Sequence, residues 1–170
     1  ARRNGYYLYS QPMSTPPGTR INLEEQLNHE SLKLLNLASY NYLGLSTHPE
    51  VIAAAHEALD RYGLGAAGSP ILSGTMDVHL TLEKELAAFK KKEAVMIFPT
   101  GYSTNIGLLS ALLRPGDWVI LDQNVHASIV DGAILAKAQV RFFRHNQPAD
   151  LAKKLRGTSG KRLVVVEGVY

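Results

Sequence analysis

Four short apolar runs punctuate the second half of the chain: Ala94-Val95-Met96-Ile97-Phe98, Trp118-Val119-Ile120-Leu121, Val140-Arg141-Phe142-Phe143 and Leu163-Val164-Val165-Val166. Several lack the polar alternation of a strand with one wet face, as expected of strands buried on both sides. The stretches between them carry helical spacing: Ile106, Leu109, Leu112 and Leu113 in one, His126 to Lys137 in the next, Pro148 to Leu155 in the last. Strands alternating with helices predict an α/β chain with a mainly parallel sheet covered on both faces.

In such a sheet ligands gather outside the carboxyl ends of the strands. Three groups fall there independently: Thr100-Gly101-Tyr102 after the first run, Asp122 and His126 after the second, Glu167 after the last. The first is a strand-turn-helix joint, Pro99-Thr100-Gly101-Tyr102-Ser103-Thr104-Asn105. Backbone N–H groups and the positive end of a helix dipole make such a joint a seat for an anion, most often a phosphate. Gly101 removes the Cβ that would hold the anion off. The plainer reading, that Thr100 caps the helix and Gly101 makes the turn, stands beside it.

Composition narrows the setting. The 170 residues, 45% of them hydrophobic, can bury a core of one domain or a large part of one. There are no cysteines, which excludes disulfides and cysteine metal sites, and no metal site is expected. No apolar run approaches the roughly 20 residues of a membrane span, and Ala1-Arg2-Arg3-Asn4-Gly5 lacks a signal-peptide core, so the reading is a soluble, cytoplasmic protein. The net charge of +3 is mild, and Lys90-Lys91-Lys92 reads as a solvated helix end rather than a nucleic-acid patch.

The first half supplies the approach to the sheet. Residues 1–20, rich in Tyr, Pro and Gly, read as an arm that packs on something, and Arg20 to Asn36 as a hairpin turning at Asn28-His29-Glu30. A helix is predicted from Pro49 to Tyr62, with proline in its first turn and Gly63 as its stop, and another from Asp77 to Lys91. Between them Gly63 to Thr75 is too glycine-rich for an element interior; it either lets another backbone approach closely or wraps a ligand or second subunit. The domain reading is residues 1–48 as arm and small-domain lead-in, and 49–170 as an incomplete large domain.

A series of ordered blocks then matches a known family: Asn41-Tyr42-Leu43-Gly44-Leu45, His48-Pro49, Tyr62-Gly63, Gly68-Ser69, Leu72-Ser73-Gly74-Thr75, His79, Thr100-Gly101-Tyr102, His126-Ala127-Ser128, Asp131-Gly132, His145-Asn146 and Val166-Glu167-Gly168-Val169-Tyr170. From about Leu37 onward the chain resembles the N-terminal half of the α-oxoamine synthases, among them 8-amino-7-oxononanoate synthase, glycine C-acetyltransferase, 5-aminolevulinate synthase and serine palmitoyltransferase. The resemblance implies a pyridoxal 5'-phosphate enzyme of fold type I, an acyltransferase that condenses an amino acid with an acyl thioester, on coenzyme A or a carrier protein, with loss of CO2. It implies a homodimer with active sites at the subunit interface. By resemblance Thr100, Gly101 and Tyr102 bind the cofactor phosphate, and His126 stacks on the pyridine ring and contacts substrate. Asn41 lies near the substrate amino acid, and Ser69 to Thr75 reach across the dimer toward the neighbouring subunit's site, with Ser73, Gly74 and Thr75 as substrate residues there.

Two positions depart from the pattern: Pro70 stands where many members carry arginine, and Val125 where asparagine often precedes the histidine. Tyr40-Asn41-Tyr42 looks most like the serine palmitoyltransferases. Family members continue through a serine, an aspartate that pairs with the pyridine nitrogen and the lysine that forms the internal aldimine. None of these falls within the 170 residues, so the expectation is that the rest of the enzyme lies elsewhere and that this segment alone is inactive. The competing readings are a non-catalytic subunit whose homologue supplies the lysine, and another fold type I enzyme such as an aminotransferase.

Overall fold

The structure is a computed structural model that describes residues 12–24 and 31–170. The chain divides into two compact units, Ala1–Met76 and Asp77–Tyr170.

In the first unit, β1 (Arg20–Glu24) and β2 (Ser31–Leu35) pair antiparallel, with Ile21 opposite Leu34 and Leu23 opposite Leu32. The hairpin is as expected; its turn at Asn28-His29-Glu30 lies outside the described residues, as do Tyr6 and Tyr7 of the arm. The described part of the arm folds back on β1. Met13 bridges Leu23, and the Ser14 N–H donates to the Asn22 carbonyl at 3.0 Å. Helix α1 (Pro49–Tyr62) begins with its proline at the first turn, where the missing N–H costs nothing, and ends at Gly63 with φ 75°.

The glycine-rich loop departs from expectation. Pro70–Gly74 forms a turn of π-helix, in which the Ser69 carbonyl accepts from the N–H groups of Leu72, Ser73 and Gly74. Two glycines permit this tight winding. A Cβ on Gly74 would strike the Gly68 carbonyl and one on Gly68 the Ser73 hydroxyl, so the close backbone approach read from the sequence is made within the loop itself.

The second unit contains α2 (Asp77–Lys90), α3 (Gly101–Leu112), β3 (Trp118–Asp122), α4 (Ala127–Leu135), β4 (Gln139–Phe143), α5 (Pro148–Leu155) and β5 (Arg162–Val165). The three strands form a parallel sheet in the order β4-β3-β5. Central β3 is buried from Val119 through Asp122, and Leu109 of α3 and Leu113 just past its end pack with Ile129, Ala133 and Ala136 of the α4 segment around it. At roughly 25 cal/mol per Å2 of apolar area, this contiguous cluster is what holds the unit together.

The apolar run Ala94 to Phe98 is not a strand, which corrects the sequence reading. A strand exists only through a partner's ladder, and among the described residues this segment pairs with neither edge of the sheet. Two of its residues meet helices instead. The Ile97 N–H donates to the Glu83 carboxylate of α2 at 3.4 Å, and the Phe98 ring lies where a Cβ on Gly107 of α3 would sit, 2.8 Å away.

Candidate functional site

The chemistry-bearing side chains of the second unit collect at the carboxyl ends of β3 and β5 and at the start of α3. Thr100 opens α3 with a capping box: its hydroxyl accepts from the Ser103 N–H at 3.0 Å, while the Thr100 N–H donates to the Ser103 hydroxyl at 3.3 Å. The first intrahelical bond runs from the Thr104 N–H to the Thr100 carbonyl at 3.0 Å, so the N–H groups of Gly101 and Tyr102 precede it and point out of the helix end. A Cβ at Gly101 would meet no atom within 4 Å, which leaves the approach to those donors open.

The Tyr102 side chain crosses to α4, where its hydroxyl donates to the Asp131 carboxylate. That hydrogen bond, with partial burial and the carboxylate's charge, raises the phenol's pKa above its ordinary value of 10.0. The Tyr102 ring then stands edge-on to the His126 ring, with centroids 6.4 Å apart and planes at 83°.

His126 is the N-cap of α4. Its Nδ1 accepts from the Ser128 N–H at 3.2 Å and lies 2.7 Å from the Ser128 hydroxyl, which in turn accepts from the Asn105 amide at 2.9 Å. The His126 N–H donates to the Glu167 carboxylate beyond β5 at 2.8 Å. The Glu167 N–H donates to the Tyr170 hydroxyl at 3.0 Å.

Beside this lies a second cluster. Asp122, 2% exposed at the end of β3, accepts from the Asn124 N–H at 2.9 Å, from the Asn146 N–H at 3.4 Å and pairs with His145 Nδ1 at 3.0 Å. Burial by itself would push this carboxyl up, but the two N–H donors and His145 outweigh it and hold the group below its ordinary value of 3.8. The His145 ring meets Tyr170 edge-on, with centroids 4.4 Å apart, and a cavity of about 290 Å3 opens between Asp122, His145, Leu151, Glu167 and Tyr170.

Residues 33–170 match the family described as aminotransferase class I and II. The chain belongs to that family. Among its relatives are the serine palmitoyltransferase of Caulobacter vibrioides, 48% identical over 79% of this chain and 34% of the relative. The 8-amino-7-oxononanoate synthase of Bacillus pumilus is 44% identical over 99% of this chain and 42% of the relative. A solved serine palmitoyltransferase from S. paucimobilis, with a bound pyridoxal phosphate–myriocin aldimine, superposes with TM-score 0.85 at 38% identity, covering 95% of this chain and 40% of that one. The chain therefore spans between a third and about two fifths of the length of these relatives. The resemblance to α-oxoamine synthases, the fold type I architecture and pyridoxal phosphate as the family's cofactor all hold.

The residues present fit that cofactor. A capped helix end offers two outward N–H donors with an open approach, as an anionic phosphate requires, and an imidazole lies beside it at the next strand's end. Of the residues singled out in the sequence, Thr100, Gly101, Tyr102 and His126 come together in the second unit. Asn41, Ser73, Gly74 and Thr75 belong to the first unit, where they make local bonds. The Asn41 amide donates to the Pro17 carbonyl at 2.9 Å, and the Thr75 hydroxyl to the Pro70 carbonyl at 2.8 Å. The sequence reading did not assign Asn105, Ser128, Asp131 or His145 to the site. Ser128, Asp131 and His145 stood within the matched blocks, whereas Asn105 did not, and nothing in the spacing of Asn105 and Ser128 marks them as partners.

Proposed function

We propose that this chain is the cofactor-binding N-terminal part of an α-oxoamine synthase, which condenses an amino acid with an acyl thioester and releases CO2. The observation that carries the reading is the meeting of an open, capped helix end with His126, whose backbone is pinned by Glu167 from the neighbouring strand. When bound, pyridoxal phosphate supplies the electron sink that lets a bond at the amino acid's α-carbon break. The chain's own residues then have distinct tasks. The N–H groups of Gly101 and Tyr102 hold the phosphate, and the Thr100–Ser103 capping box keeps that turn wound in the absence of ligand. His126 stacks on the cofactor ring and contacts the substrate's carboxylate or thioester carbonyl. Glu167 and the Tyr102–Asp131 strut fix the distance between these two elements.

The assignment of Asn41 to the amino acid substrate, and of Ser73, Gly74 and Thr75 to the neighbouring subunit's site in a cytoplasmic homodimer, rests on the resemblance alone. Among the described residues no helix is long and apolar enough to cross a membrane.

The reading places the cofactor-bearing lysine outside the 170 residues. Lys161 donates to the Leu112 carbonyl, away from the carboxyl ends of the strands, Lys137 follows the end of α4, and Lys153 and Lys154 lie on α5. Borohydride reduction of the full-length protein with pyridoxal phosphate, followed by peptide mass spectrometry, tests this. The expected adduct is on a lysine beyond Tyr170. An adduct on Lys137, Lys153, Lys154 or Lys161 would overturn the placement, and the absence of any adduct would favour a non-catalytic subunit.

A further inference from the structure

Ser128 is fully buried, and its hydroxyl hydrogen-bonds to side chains rather than to a helix carbonyl. It stands between two side chains, Asn105 of α3 at 2.9 Å and His126 Nδ1 at 2.7 Å. We infer that Asn105 and Ser128 are positioning residues that lock the His126 ring in its Nε2–H tautomer, so that the ring offers a proton donor from Nε2. The inference rests on the proposed function only in assigning His126 to the cofactor and substrate.

The Ser128 backbone N–H can only donate, and it points at His126 Nδ1 from 3.2 Å, so that nitrogen presents its lone pair. The Asn105 amide nitrogen likewise only donates, so it occupies a lone pair of the Ser128 oxygen and leaves the hydroxyl proton to go to Nδ1. The chain Asn105 to Ser128 to His126 then runs in one direction, with the single Nδ1 lone pair shared between the Ser128 hydroxyl and the Ser128 N–H. The opposite tautomer would set Nδ1–H against the Ser128 N–H and leave a buried hydroxyl proton without an acceptor, a costly arrangement. With Nδ1 committed, the ring's proton is on Nε2, the nitrogen left to face substrate. A donor there suits a carboxylate or a thioester carbonyl, both of which accept.

The close approach of the two helices makes the relay possible. Gly132, one turn beyond Ser128, carries no Cβ, and one placed there would lie 3.0 Å from the Asn105 carbonyl. Asn105 is thereby brought within reach of a serine that a larger helix separation would strand.

The test is ring-nitrogen NMR on the full-length protein with 15N-labelled histidine, at about pH 8.5, roughly two units above an ordinary histidine. His126 signals are assigned by their loss in His126→Ala. Wild type is expected to show His126 as Nε2–H alone; an Nδ1–H ring, or a mixture of the two, overturns the inference without any variant. Asn105→Asp is the reversal. Its carboxylate accepts where the amide donated, so the Ser128 proton turns away from the histidine, and the tautomer ratio moves about tenfold or more toward Nδ1–H. An unchanged ratio in a folded Asn105→Asp protein also overturns it. Addition of pyridoxal 5'-phosphate separates this from the functional reading: His126 ring signals that do not respond to the cofactor defeat the placement of His126, whichever tautomer they report.

Discussion

The α3–α4 seam can be tested at a single atom. In Gly132→Ala the new Cβ would lie 3.0 Å from the Asn105 carbonyl oxygen, 3.0 Å from Leu109 Cδ1 and 3.1 Å from Leu109 Cβ. Two of these three atoms are backbone or fixed to it, so no rotamer change clears them and α3 must retreat. Two effects oppose each other. Alanine is the better helix former by about 1 kcal/mol, while overpacking a filled site costs roughly 1–3 kcal/mol. Because the obstruction includes a backbone carbonyl, the upper half of that cost applies, and the variant is expected to be less stable by about 1–2 kcal/mol. Urea unfolding of the full-length apoprotein, followed by circular dichroism, reads this as a lower midpoint at unchanged slope. Gly101→Ala is the internal control. Nothing lies within 4 Å of its Cβ, so its midpoint should not fall and the helix preference of alanine can only raise it, while its affinity for pyridoxal phosphate falls because the methyl intrudes on the anion's approach. A Gly132→Ala protein as stable as wild type, or more stable, would refute the tight seam and the reasoning built on it.

His126→Ala should fold, with a stability loss of about 1 kcal/mol for the missing cap of α4, and turnover of the complete enzyme should fall about a hundredfold; steady-state kinetics showing unchanged turnover would remove the stacking role. Acid should weaken the second unit through Asp122. Its carboxyl is held below 3.8 in the folded chain, so the unfolded chain takes up the proton first, and the stabilisation, complete well above pH 3.8, is lost as pH falls through 3.8 toward the native value. Asp150, held low by the Arg144 N–H, acts in the same direction, so Asp122→Asn should flatten part but not all of the pH dependence of the urea midpoint between about pH 5 and pH 3, and an unchanged slope would rule Asp122 out.

Much of this fold was legible because its signals are local. The runs ending at Leu121, Phe143 and Val166 became β3, β4 and β5, and Pro49, Gly63 and Thr100 marked helix ends because each acts through its own backbone. Ala94 to Phe98 misled because an apolar run does not state what partner it has; here only Val95, Ile97 and Phe98 are partly buried and Met96 is exposed. The site was legible to the same depth. Thr100, Gly101 and His126 declare themselves by type and place in the chain. The Asn105–Ser128 and Asp122–His145 pairs, each 23 residues apart, arise from helix and strand packing that one-dimensional spacing does not encode.

Ser128, Asp131 and Gly132 occupy positions i, i+3 and i+4 of α4, and all three engage α3, through Asn105, Tyr102 and the Asn105 carbonyl respectively. They work as a key with three teeth. Rotating or sliding α4 by one residue disengages all of them together, so the separation between His126 and the start of α3 has one permitted value rather than a range. Insertions should therefore be survivable in the Arg114–Asp117 turn, at the far end of β3, and ruinous between Ser128 and Gly132.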